Sequence, residues 1–108
     1  MAKLEQVLYG DFDEILSRIQ NGIMGGSISA SLEDYSDFSD GQSRVSVRVF
    51  ERYSWLGGNR VSLSVTLYQN AAGEIRISAI TSGGSQALFY KINTFGEAAF
   101  LDKLRQIL

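Results

Sequence analysis

The chain has 108 residues, 44% of them hydrophobic, which suits one ordinary domain with a single core held without metal or disulfide staples. It contains no cysteine and no histidine, which excludes disulfides, thiol catalysis, histidine-based triads and Cys- or His-ligated metal. Ten Lys and Arg against twelve Asp and Glu give a net charge of −2, without the basic excess on which nucleic-acid binding by counterion release depends.

Lys3 to Tyr9 reads as a short first strand, its alternation imperfect because Val7 and Leu8 are adjacent. A helix follows, with Asp11 as N-cap and Glu14 three residues on. Phe12, Ile15, Leu16, Ile19 and Ile23 recur at helical spacing, and Gly22 is the expected stop. From Ser27 the period changes to two, with Ile28, Ala30 and Leu32 alternating with serines. The polar, acidic run Asp34 to Gly41 reads as a loop.

The clearest alternation comes next. Val45, Val47 and Val49 face one way, and Arg44, Ser46, Arg48, Phe50 and Arg52 the other; the valines are expected inward. Gly57-Gly58-Asn59 marks a turn into a strand of Val61, Leu63, Val65 and Leu67 alternating with Ser62, Ser64, Thr66 and Tyr68. Asn70 to Gly73 is the next turn, and Ile75, Ile77 and Ala79 begin another strand. Ser82 to Ser85 breaks the pattern, and Leu88 to Thr94 reads as an edge strand or an extended connection. Thr94 and Glu97 have capping-box spacing ahead of a last helix with Phe100, Leu101, Leu104 and Leu108 on its apolar side.

The order β-α-β-β-β-β-α over residues 1–108 predicts a single α+β domain. The expected architecture is a two-layer sandwich, an antiparallel sheet of four to six strands with two helices on one face. The first strand is expected either beside the Ser27 strand or at the far edge of the sheet. MAKLEQVLYGDFDE has no apolar signal region and no run of about 18 apolar residues occurs, so a cytoplasmic protein with no membrane partner is expected.

GDFDEILSRI, SISASLEDYSD, RVFERYSWLGGNRVSLSV and ITSGGSQALFYKINTFGEAAFLDKL, taken in that order, resemble a small bacterial family of uncharacterised proteins along nearly the whole chain. The resemblance implies a bacterial cytoplasmic protein and assigns no catalytic or binding residue.

Candidate sites come from the residues themselves. If one parity holds throughout, Arg44, Arg48, Arg52, Arg60 and Arg76 share a face with Tyr68 and many serines. Guanidinium forks suit phosphate or carboxylate, and small hydroxyls leave room for a partner. The competing reading is a plain solvated face whose arginines pair with Glu33, Glu51 or Glu74. Only Tyr35, Phe50 and Tyr68 share that parity as aromatic platforms, too few for single-stranded RNA. Asp34, Asp37 and Asp40 do not match a calcium-loop spacing. The glycine pairs match no nucleotide-binding signature. Gly83-Gly84-Ser85 resembles a nucleophile elbow, but no histidine is present to deprotonate Ser85, and a Ser-Lys dyad would need Lys3, Lys91 or Lys103 nearby, with no Ser-x-x-Lys spacing in the chain. Trp55, at or near a hairpin tip, either anchors a partner or folds back over the core.

The expected function is a non-enzymatic interaction module, most simply a homodimer through the Ser/Arg sheet face. The alternative is a carrier of a small anionic or lipid-like ligand, in a pocket between the sheet and the C-terminal helix near Ser85 and Phe89 to Phe95. No cofactor is expected. Arg44 and Arg48, if outward, are replaceable without loss of folding.

Overall fold

Alternation decides the centre of the molecule. In β4 (Asn59–Gln69) and β5 (Ile75–Gly83), Val61, Leu63, Val65, Leu67, Ile75, Ile77 and Ala79 are all buried, and Ser62, Ser64, Thr66, Tyr68, Arg76 and Ser78 point to the opposite face. This computed structural model describes residues 2–26, 29–54, 59–83, 101 and 104–108, the side chains of Ser54 and Asn59 excepted. The expectations for Ser27 and Ile28, for Gly57-Gly58, for 88–94, for Thr94 with Glu97 and for Phe100 lie outside the described residues.

Among the described residues, five strands form one antiparallel sheet in the order β1-β5-β4-β3-β2, where β1 is Ala2–Leu8, β2 Ser31–Asp40 and β3 Ser43–Ser54. The first strand thus takes the far edge. Between it and β2 lies α1 (Phe12–Gly25), so this connection carries the chain from one edge of the sheet to the other. The Asp11 carboxylate accepts the Glu14 backbone N–H at 3.0 Å, and Asp13 and Glu14 place negative charge at the positive end of the helix. Phe12, Ile15, Ile19 and Ile23 form one core with the inward strand residues, and helical Leu101 and Leu104 belong to the same core. The arrangement is an α+β fold.

Four expectations are corrected. Gly22 does not end α1, which runs on to Gly25. A Cβ at Gly22 would lie 2.6 Å from Ile107 Cδ1, so the position is occupied by a neighbour rather than reserved for a stop. Glycine inside a helix costs about 1 kcal/mol relative to alanine, and here close approach accounts for it.

The acidic run is not a loop. Residues 34–40 belong to β2, which pairs with β3 from Ser31↔Glu51 to Asp40↔Ser43, with a register shift between Leu32 and Asp34. A two-residue turn, Gly41-Gln42, closes the hairpin, and Gly41 takes a φ of +61° that favours glycine. Aspartates and a bulge suit an edge strand, because both discourage pairing with other chains.

Ser82 and Gly83 do not break the strand, since β5 continues through Gly83.

Finally, β3 is inverted. Phe50 is fully buried at 0% exposure, Ser46 and Arg48 are buried beside it, and Val45, Val47 and Val49 are half-buried on the opposite face. Register requires this: Phe50 pairs with Leu63, Arg48 with Val65 and Ser46 with Leu67, so all share the face that carries α1. Turning the strand over would expose Phe50, whose burial contributes about 1.5–3 kcal/mol, to gain only the remaining burial of three half-covered valines. The arginines on that face are accommodated by partners from α1 and β2, described below. The expected single face of Arg44, Arg48, Arg52, Arg60 and Arg76 therefore does not exist.

Candidate interaction face

Two surfaces follow from this inversion. On the α1 side, β3 carries a cationic row that meets acidic and amide groups. Arg44 makes a bidentate pair with Asp13 of α1 at 2.9 and 3.2 Å, and its guanidinium lies 4.1 Å from the Phe12 ring centre. Arg48, 8% exposed, donates to Asp37 of β2 at 3.0 and 3.4 Å, to Gln20 of α1 at 3.3 Å and to the Val47 carbonyl at 3.0 Å. It also faces the Tyr35 ring at 5.2 Å. These contacts tie the edge strand and the helix to β3. They occupy the fork of Arg48 and leave it little capacity for a ligand. Hydrogen bonds from Ser46 and Arg48 hold the Asp37 carboxyl below its ordinary range. Arg52 lies on this side too, opposite Val61, and partial burial lowers its pKa.

The other face is open: among the described residues no helix packs on it. Its transverse rows can be read from the register. One runs Phe38, Val45, Tyr68, Arg76, Val7 from β2 to β1. The next runs Ser36, Val47, Thr66, Ser78, Glu5, and the third Asp34, Val49, Ser64, Ile80, Lys3. Phe38, Tyr68, Val7 and Ile80 are exposed, and Phe38 at 66% stands out most. A shallow depression of about 470 Å³ lies at the β4–β5–β1 end, walled by Glu5, Val7, Thr66, Tyr68, Arg76 and Ser78. A smaller apolar cleft of about 220 Å³ lies between Phe38, Val45 and Tyr68.

Of the sequence-derived candidates, Arg60, Arg76 and Tyr68 share this open face, and Arg44, Arg48 and Arg52 lie on the opposite one. Trp55 and Ser85 lie outside the described residues. The two open-face arginines are paired as the plain reading expects: Arg60 Nε with Glu51 at 2.9 Å and Arg76 Nε with Glu74 at 2.8 Å. The Glu74 carboxylate raises the Arg76 pKa. Of the aromatics counted as RNA platforms, Tyr35 and Phe50 turn to the α1 side. Asp34 and Asp40 share the open face while Asp37 faces α1, so the strand splits the acidic trio.

Sequence reading missed Phe38, Val45, Val47 and Val49 as open-face residues. The available signal was Gly41 between two alternating stretches; with Gly41-Gln42 as a two-residue turn, Phe38 pairs with Val45.

Among the described residues, no helix is long and apolar enough to cross a membrane. No curated protein and no solved structure matches the chain. A family model described as a family of unknown function, DUF6054, matches residues 1–108, and the chain belongs to that family.

Proposed function

We propose that this protein is a non-enzymatic interaction module whose open sheet face binds a second copy of the same chain. The observation that carries the reading is the open face itself, which presents Phe38, Tyr68, Val7 and Ile80 to solvent from β2, β4, β1 and β5. Isolated exposed apolar residues are ordinary, but a contiguous set on one flat face marks a contact surface. Strands about 4.8 Å apart and about 3.3 Å per residue give this five-stranded face a footprint of roughly 600–800 Å². A stable interface needs about 800 Å² per partner. In this reading α1 and the C-terminal helix form a second layer on the opposite face, and the protein works in the cytoplasm. The absence of histidine and cysteine supports a role without catalysis.

Sedimentation equilibrium with Phe38→Asp as the comparison tests the reading. A dimer for the native chain and a monomer with the native far-UV circular dichroism spectrum for Phe38→Asp support it. A native chain still monomeric at about 100 μM overturns it.

The depression beside Arg76 favours a second reading, a small anionic ligand held by the guanidinium with the Thr66 and Ser78 hydroxyls around it. Saturating thermal stabilisation of a monomer by one anionic metabolite, lost in Arg76→Ala, would select it instead.

A further inference from the structure

The open face is self-complementary in one orientation only. We infer that two copies pack face to face about a two-fold axis running along β4, parallel to the strands. This rests on the proposed self-association and adds its geometry. Such an axis keeps every transverse row in place and exchanges its ends. β2 then lies over β1 of the partner, β3 over β5, and β4 over itself.

The consequences can be read row by row. Phe38 falls on Val7 at the wall of the depression, so an exposed ring meets a hollow of the face. Val45 and Arg76 exchange in the same row, bringing a guanidinium beside the Phe38 ring. Val49 meets Ile80, and Asp34 meets Lys3, an opposite-charge pair formed twice by symmetry.

The other in-plane axis, across the strands, is excluded by charge. It would lay β2 on β2 and β1 on β1 with the rows reversed. Centred on the four rows from Asp40 to Asp34, it would set Asp34 against Asp40 of the other copy, twice by symmetry, and Glu5 against Val7. Like charges directly opposed oppose association, and they would be desolvated here. Two sheets aligned face to face, with strand directions within about 30°, are an ordinary packing mode.

The chain has no cysteine, so introduced thiols report without background. Phe38 and Val7 stand four strand spacings apart in one copy, about 19 Å, too far for a bond within the chain. With a bifunctional thiol reagent that spans about 10 Å, the spacing of face-packed sheets, the double variant Val7→Cys, Phe38→Cys should form a covalent dimer, while Phe38→Cys alone should not. Charge exchange supplies an independent readout on exposed positions. Asp34→Lys should weaken the dimer about tenfold, and Asp34→Lys combined with Lys3→Asp should restore it. A native dimer whose double-cysteine variant stays uncrosslinked, whose Phe38→Cys variant crosslinks to itself, or whose charge exchange fails to restore affinity overturns the axis and leaves self-association standing. A native chain that sediments as a monomer overturns both.

Discussion

Replacing Arg48 by alanine tests the inversion of β3 most directly. The substitution removes a guanidinium that is 10% exposed, together with its hydrogen bonds to Asp37, Gln20 and the Val47 carbonyl. Hydrogen bonds to charged groups contribute about 1.5–3 kcal/mol each in favourable cases. Asp37 keeps half its surface in water, however, so the large penalty for stranding a buried charge does not arise in full. The lost packing of the arginine stem adds to the cost. The expected net loss is about 2–3 kcal/mol, a shift of roughly 1 M in the urea midpoint for a domain of this size. Arg76→Ala, whose side chain is 65% exposed, should unfold at the native midpoint. Arg48→Met, which keeps an apolar stem but breaks the same hydrogen bonds, should recover only the packing share of the loss. Urea titrations followed by far-UV circular dichroism give all three values. Arg48→Ala within about 0.5 kcal/mol of the native protein would mean that this side chain faces solvent, and the face assignment of β3 would fall.

Other outcomes follow from the same packing. Phe50→Ala should cost about 3–5 kcal/mol and Val47→Ala under about 1.5 by denaturant unfolding of the monomer; the reverse ranking would refute the assignment of their faces. The Asp37 carboxyl is depressed by Ser46 and Arg48, so its contribution is present above its unfolded value near 3.9 and lost as pH falls through its lower folded value. The stability gap between native protein and Asp37→Asn should therefore be steady near pH 6 and shrink below about pH 4, whereas a constant gap would show that the pairing does not act. Gly22→Ala gains helix propensity but drives a methyl into Ile107, for an expected net loss of about 1–2 kcal/mol. In an Ile107→Ala background the same change should become stabilising; if it does not, the two side chains do not meet.

Much of this architecture is legible from residue order alone. From Val61 to Tyr68 in β4 and from Ile75 to Ala79 in β5 every second residue is aliphatic and the others are hydroxyl, aromatic or charged, so only one face can be inward. In β3 period two is equally clear, yet it defines two faces without naming the buried one. Three valines compete there with one phenylalanine, and the decision belongs to groups distant in sequence: Asp13 and Gln20 on α1 and Asp37 on β2 make the arginine side habitable. The strand character of 34–40 is masked by its aspartates, which composition associates with loops and geometry places on a solvated edge. Gly22 illustrates the same limit, because the reason for its missing side chain is an isoleucine at position 107. The open face was half legible: its hydroxyls came from β4 and β5, and its apolar half came from the inverted strand and the unrecognised hairpin.

Among the described residues β1 pairs with β5 alone, and β5 is the last of the described strands along the chain. The Thr81 hydroxyl bridges the amide and carbonyl of Ala2 across 79 positions of sequence. Contact order is accordingly high for this edge, while β2 to β5 form a run of sequential hairpins with local pairing. During translation β1 emerges well before β5 and must wait for it before it can pair. The hairpin run can assemble ahead of that pairing, and the arrival of β1 closes the edge that would otherwise expose unpaired amides and carbonyls to any passing strand.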